Sequence, residues 1–312
     1  MTATSSTPAA VGARTPHRGR GTRASELQTT RRLFLLPLTV VLASLTIIPF
    51  VYNLVLSLTD SSPTNERTSF VGLGNYLDLL TDGAFWNAVR VTLTFTVIAV
   101  GVEFLLALIV ALSLHRITRG APLLRALFLL PLAAAPVAAL FNWRLMLNAS
   151  SGVINYVLGL VGLPQPAWTG QDGTALASLI MVDVWQWTPF VLVILVGGLA
   201  AIPAELSEAA AVDGATGWQS FWHVRLPLLK PFILVAVLFR TIDALKTFDS
   251  IEILTSGGPG SATTTLNYFV FKEGIEFLDF GRAAAAATLL LILAIVLSRL
   301  LLRSLQEEEA AQ

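Results

Sequence analysis

Six long runs of apolar residues, separated by stretches dense in Gly, Pro, Asn, Asp and Ser, set the pattern of this chain. The runs cover about residues 33–58, 88–114, 123–147, 177–202, 232–255 and 283–302. Each is about 20 residues or longer. At about 1.5 Å of rise per residue, a helix of that length crosses a ~30 Å hydrocarbon layer. The pattern therefore predicts an all-α membrane protein with six transmembrane helices joined by turn-rich links. Residues 1–30, rich in Thr, Ala, Pro and Arg, read as a disordered tail. Residues 31–305 read as the membrane domain, and residues 306–312, with Glu307, Glu308 and Glu309, as an acidic solvated end. No internal repeat is found.

Loop charges orient the set. Arg14, Arg18, Arg20, Arg23, Arg31 and Arg32 precede the first run, Arg116 and Arg119 lie in the second link, Arg225 and Lys230 in the fourth, and Arg303 at the end. The links 59–87 and 148–176 carry only Arg67 among cations, beside Asp60, Glu66, Asp78, Asp82 and Asp172. Cationic loops stay in the cytoplasm, so both termini are expected there. The link 256–282, with Lys272 and Arg282, is a mild exception on the outer side. Arg31-Arg32 also has the look of a twin-arginine export signal. The run after it is too long for a signal core, however, and no small-residue cleavage site follows.

Composition narrows the function classes. Of 312 residues, 54% are apolar and 13% charged, where soluble proteins run at about 25% charged. So little charge could not cover the surface of a soluble enzyme. Lys plus Arg equals Asp plus Glu, 20 against 20, so no net field draws nucleic acid. The absence of cysteine excludes disulfides, thiol nucleophiles and Cys-type zinc sites. His17, His115 and His223 lie far apart and no HExxH occurs, so no metal is expected. No GxxxxGK(S/T) phosphate loop occurs, so if ATP drives this protein's work, ATP and its Mg are bound by other chains, and no cofactor is expected on this one.

The link 203–231 departs from a plain loop. Pro203 opens it, and residues 205–212 (Glu-Leu-Ser-Glu-Ala-Ala-Ala-Val) form a strong helix-forming run that Asp213-Gly214 stops. Trp218, Phe221, Trp222, Val224 and Leu226 follow at helical spacing, and Pro227 and Pro231 punctuate the return to the membrane. Periodicity alone fits either an amphipathic helix lying at the headgroups or a docking element.

Spacing adds a resemblance. Glu208-Ala209-Ala210, Gly214 after three residues, and Val224-Arg225-Leu226-Pro227 after nine more resemble the EAA motif, E-A-A-x3-G-x9-I-x-L-P, of ATP-binding-cassette (ABC) importer permeases, with Val224 in place of the usual Ile. Gly72-Leu73-Gly74-Asn75-Tyr76, Trp143, Gly152-Val153-Ile154-Asn155, Trp185 with Pro189, Asp213-Gly214-Ala215 and Thr255-Ser256-Gly257-Gly258-Pro259 extend the likeness over about residues 33–300. The chain is similar to the MalF-type sugar permeases, without the long extra outer domain of the maltose member.

That resemblance implies a type I ABC importer permease fold in the cell membrane. The residues matched to ATPase coupling are Glu208, Ala209, Ala210, Asp213, Gly214, Leu226 and Pro227. In the family the first short helix docks in a groove of the ATPase: small Ala209 and Ala210 allow close approach, Glu208 supplies a charge, and Gly214 permits the turn. Expected partners are a second permease, two ATP-binding subunits, an extracellular solute-binding (lipo)protein, a sugar, polyol or glycerol phosphodiester, and the lipid membrane.

Charged groups inside spans are costly and tend to face a cavity or a partner. Counted by helical rise, Asp183 lies roughly 9 Å and Gln186 roughly 13 Å below the outer end of the fourth run, with Lys246 and Asp249 at similar depths in the fifth. Arg240, Asp243, Lys246 and Asp249 are spaced i, i+3, so neighbours can pair along one helix. Glu103 and Arg144 are expected to be structural, and Pro189 to bend its helix. In the family the sugar cavity is lined by the helices before and after the EAA link. The resemblance thus assigns Asp183, Gln186, Trp187, Phe190, Arg240, Asp243, Ala244 and Thr247 to substrate. Carboxylates and amides suit hydroxyl pairs, and an indole face suits the C–H face of a pyranose. A rival class is an ion-coupled secondary carrier using the intramembrane carboxylates as a relay. It would be expected to contain half-repeats.

Overall fold

The structure is a computed structural model, and it describes residues 20–65, 67–117 and 120–309. The chain divides at residue 52 into two units. The first is helix α1 (Arg20–Leu56) short of its last turn. Its stretch Leu35–Leu56 is apolar and 22 residues long, enough to cross a membrane. The tail expectation for residues 1–30 falls largely on 1–19, outside the described residues; from Arg20 onward the chain is helical.

The second unit holds the remaining elements: α2 (Gly74–Thr81), α3 (Gly83–Arg116), α4 (Ala121–Ala133), α5 (Pro136–Met146), α6 (Val153–Leu160), α7 (Asp172–Ala201), α8 (Ala204–Val212), α9 (Gly217–Ser220), α10 (Leu226–Leu245), α11 (Asp249–Leu254), α12 (Leu266–Phe271) and α13 (Phe280–Glu309). Among the described residues there is no strand, only an isolated bridge between Thr59 and Phe70. Helix α7 is central. It packs chiefly on α3 and also on α10 and α4, while α13 packs on α10 and α12. Small side chains let these helices approach. A Cβ added at Gly198 of α7 would lie 2.6 Å from a ring carbon of Phe232 on α10, so only glycine fits that crossing.

Among the described residues four helices are long and apolar enough to cross a membrane, or five if one bent pair is a single crossing. The sequence pattern predicted six, and two of its runs account for the difference. The third run, 123–147, is two helices bent by 90°. Pro136 lacks an amide hydrogen and drives the residue before it out of the helical region. Ala134 and Ala135 are accordingly extended, with ψ 141° and 118°. The fifth run breaks too: α10 ends at Leu245, and Phe248 is not helical (φ −139°, ψ −57°) before α11 starts at Asp249. The carbonyls released there find new donors. Asn267 Nδ2 donates to the Lys246 carbonyl at 2.7 Å, and Thr265 Oγ1 to that of Thr247 at 3.5 Å. Helix α10 itself, 20 residues long, carries Lys230, Arg240 and Asp243, which keeps it out of the apolar set. Helix α7 runs unbroken through Pro189.

Turn-rich links are stapled by the motif residues. Asn75 Nδ2 donates to the carbonyls of Ser57 and Thr59 at 2.9 and 2.8 Å. Asn155 Nδ2 donates to Ala149 and Pro166 carbonyls, and its Oδ1 accepts from Trp168 Nε1 at 2.8 Å. Short helices α2, α6 and α12 therefore occupy links whose composition alone read as turns.

Candidate functional site

The most charged place inside the helix bundle is built around Arg240, on the buried face of α10. Its Nε donates to Glu103 Oε2 at 2.6 Å, and its Nη2 to Glu103 Oε1 at 2.7 Å and to Asp183 Oδ2 at 2.7 Å. Its Nη1 donates to Asp243 Oδ2 at 2.6 Å. Three helices are thereby joined, since Glu103 belongs to α3, Asp183 to α7 and Asp243 to α10. Trp187 caps the group, with its ring centroid 5.0 Å from the guanidinium carbon. The side chains of Arg240 and Glu103 are 1% and 0% exposed, whereas that of Asp243 is 46% exposed. Arg240 is thus sealed in protein while Asp243 opens outward.

It opens into a cavity of about 160 Å³. From α7 the lining includes Asp183, Gln186 and Trp187, and from α10 and the break after it Asp243, Lys246 and Thr247. Phe248, Asp249 and Ser250 complete one wall, and Pro136 and Leu140 of α5 the other. The sharp bend before α5 brings that helix against α11 at the cavity, and its Trp143 meets Trp185 of α7 edge to face at 5.4 Å. Carboxylates, an amide, hydroxyls and an indole on one small surface can bind a polyhydroxy solute.

Of the eight residues matched to substrate, five line this cavity: Asp183, Gln186, Trp187, Asp243 and Thr247. Arg240 lies behind it and anchors Asp183 and Asp243. Phe190 and Ala244 are not among the lining residues. Phe190 packs on the cluster around Leu195 and Leu229, and Ala244 is buried in the cluster around Phe95 and Leu179. Glu103, expected as structural, is the bidentate partner of Arg240. Its signal was an isolated carboxylate in the middle of an apolar run, which needs a partner. The i, i+3 pairing holds for Arg240–Asp243. Among the described residues no ion pair joins Lys246 to Asp249, because the helix breaks between them and the spacing argument lapses. Both face the cavity instead. Arg144 is exposed.

A second feature lies where α7 ends. Helix α8 starts three residues after Ala201 and has no buried residue, so Glu208 and Ala209 are exposed. Asp213 closes it, and Gly214 follows at φ +82°, a left-handed position that a β-carbon disfavours. Thr216 and Gln219 form a reciprocal cap that starts α9. A π-helical turn, Phe221–Arg225, then runs straight into α10, with Leu226 and Pro227 in its first turn. Arg225 Nε donates to Ser207 Oγ at 3.2 Å, tying α8 to the start of α10.

A third polar group sits at the start of α13. Arg282 pairs with Asp82, the residue that caps α3, and its Nε lies 3.2 Å from Glu273 Oε2. Burial holds the Glu273 carboxyl above its usual range despite the facing Arg282, and Asp279 and Asp82 add repulsion.

Comparison with known proteins decides the family. The sequence profile of the binding-protein-dependent transport system inner membrane component matches residues 103–308. The chain belongs to that family. The permease is 40% identical over 239 residues to the trehalose/maltose transport system permease protein MalF of Thermococcus litoralis, covering 77% of this chain and 81% of that one. It is 35% identical over 219 residues to the sn-glycerol-3-phosphate transport system permease protein UgpA of Agrobacterium fabrum, covering 70% and 74%. Its fold is that of a chain in a bacterial ABC transporter involved in import of the acidic polysaccharide alginate, with a TM-score of 0.80 at 21% identity, covering 93% of this permease and 99% of that chain. The permease is a multi-pass protein of the cell membrane.

Proposed function

We propose that this permease moves a sugar or sugar-like solute into the cell through the cavity between α7 and α10, driven by ATPase subunits docked on α8. The observation that carries the reading is the convergence of Asp183, Gln186 and Trp187 of α7 with Asp243 and Thr247 around one cavity. Relatives named for trehalose, maltose and glycerol phosphate transport support a polyhydroxy cargo. In this reading α1, α3, the α4–α5 pair, α7, α10 with α11, and α13 make six crossings, and both termini are cytoplasmic. Working partners are a second permease, two ATPases that hold ATP and Mg, and an extracellular solute-binding protein.

Connectivity gives a mechanism. The link bearing Glu208 joins the two helices that line the cavity. From Gln186 to Ala201 is about 22 Å of continuous helix, and the π-helical turn enters α10 without a break. ATP-driven closure of the ATPases would draw α8 along. The ends of α7 and α10 would follow as stiff levers, opening the cavity to one side and then the other. The chain itself transfers no chemical group. Gentle purification from the native membrane tests the assembly: a P-loop ATPase and a second permease should come with it. Recovery of this chain alone, active in ion-driven uptake, would overturn the reading in favour of a secondary carrier.

A further inference from the structure

Resting on that reading of the cavity, we propose that its charge selects uncharged sugars and rejects anionic ones, sugar phosphates and sulfonates included. Guanidinium and ammonium groups with exposed donors are the side chains that bind anions most strongly. Arg240 has no exposed donor to offer. Four of its five N–H groups are taken by Glu103, Asp183 and Asp243, and its side chain is 1% exposed. Among the described lining residues Lys246 is the one cation, set against Asp183, Asp243 and Asp249. With the buried Glu103 and Arg240 counted in, carboxylates outnumber cations by two, and a proton shared among the carboxylates still leaves the sum negative.

A phosphate placed against Asp243 meets like charge at the distance of a hydroxyl contact, with Asp183 and Asp249 on the same surface. A neutral sugar meets the same carboxylates as acceptors for its hydroxyl hydrogens and gains from them. The same set of residues therefore attracts one class and repels the other. The relative named for glycerol 3-phosphate shows that the family spans both classes, so family membership alone does not choose.

The test is saturation-transfer NMR on the assembled importer held in nanodiscs, without its solute-binding protein, at low ionic strength. The probes are trehalose, maltose and the 6-phosphate of each. The expected result is binding of the neutral sugars, with each phosphate weaker by at least about tenfold. Asp249→Asn should narrow the ratio between each sugar and its phosphate by about threefold, as should raised salt. Phosphates that bind as tightly as the parent sugars would overturn the charge filter and leave the sugar site standing. No saturation transfer from any of the four would overturn the sugar site itself, and the filter with it.

Discussion

Arg240 and Glu103, 137 residues apart in the chain, meet fork to fork, with both carboxylate oxygens accepting from the guanidinium at 2.6 and 2.7 Å. Such a bidentate pair fixes angle as well as distance. Because Asp183 accepts from the same guanidinium, α3, α7 and α10 are held in one register beside the cavity. The pair has no exposed side, so its worth lies in what its loss would leave behind.

Removing the cation is the direct test. Arg240→Met leaves Glu103 and Asp183 buried without a partner, and breaking a buried pair in that way costs about 3–5 kcal/mol. The assembled importer should lose several degrees of melting temperature, read by thermal shift in detergent. Glu103→Gln, which keeps one acceptor for the guanidinium, should cost less. A melting temperature unchanged by Arg240→Met would mean the cluster does not hold the three helices.

Asp183 and Asp243 separate structure from binding. Asp243 is half exposed to the cavity while Asp183 is nearly sealed. Asp243→Ala should therefore impair uptake with little change in melting temperature, and Asp183→Ala should impair both. The check is solute uptake into proteoliposomes containing the whole importer. Unchanged uptake kinetics for both variants would move the site elsewhere.

How far the sequence foretold this arrangement can be judged from particular residues. Apolar runs located α1, α3, α7 and α13, because a helix crossing lipid must be apolar along its whole length. Arg240–Asp243 was legible because i, i+3 neighbours share a face whenever the helix is continuous. The other two partners of Arg240 were not, since Glu103 and Asp183 reach it only through tertiary packing. The breaks at Ala134–Ala135 and at Lys246–Phe248 were hidden because apolar residues continue on both sides of each. Pro136 was the one local sign of the first. Phe190 and Ala244 were matched to the cavity by resemblance, yet they point into apolar clusters.

Glu273 gives a pH prediction. Its carboxyl titrates above its ordinary value in the folded protein, chiefly through burial. A raised folded pKa means that the folded state binds the proton more tightly than the unfolded chain. The stability it contributes is therefore complete below the ordinary value and is lost as pH rises through the folded one. Glu273→Gln, neutral at every pH, should raise the melting temperature at pH 7 relative to the parent, with the gain vanishing below about pH 4.5. A melting temperature lowered by Glu273→Gln at pH 7 would mean that the Arg282 bridge, and not burial, governs this group.

Gly198 tests the crossing of α7 and α10. A methyl there would overlap the ring of Phe232 and the Leu229 side chain, at 2.6 and 2.8 Å. Overpacking of this kind costs about 1–3 kcal/mol. Gly198→Ala should lower the melting temperature of the importer, and pairing it with Phe232→Leu should restore part of the loss. Additive losses in the double variant would show that the two residues do not meet.

Glu208 tests the coupling link. It is exposed on a helix with no buried residue, and exposed side chains of this kind contribute little to stability. Glu208→Lys should therefore leave membrane insertion and melting temperature unchanged. If α8 docks on the ATPase as proposed, the reversed charge should abolish uptake and the solute-dependent stimulation of ATP hydrolysis. Gly214→Val, which strains a residue at φ +82°, should weaken coupling through shape, without any change of charge. Restoration of uptake by a compensating acidic substitution on the ATPase would identify the facing surface. Normal uptake with Glu208→Lys would mean that α8 is not the docking element.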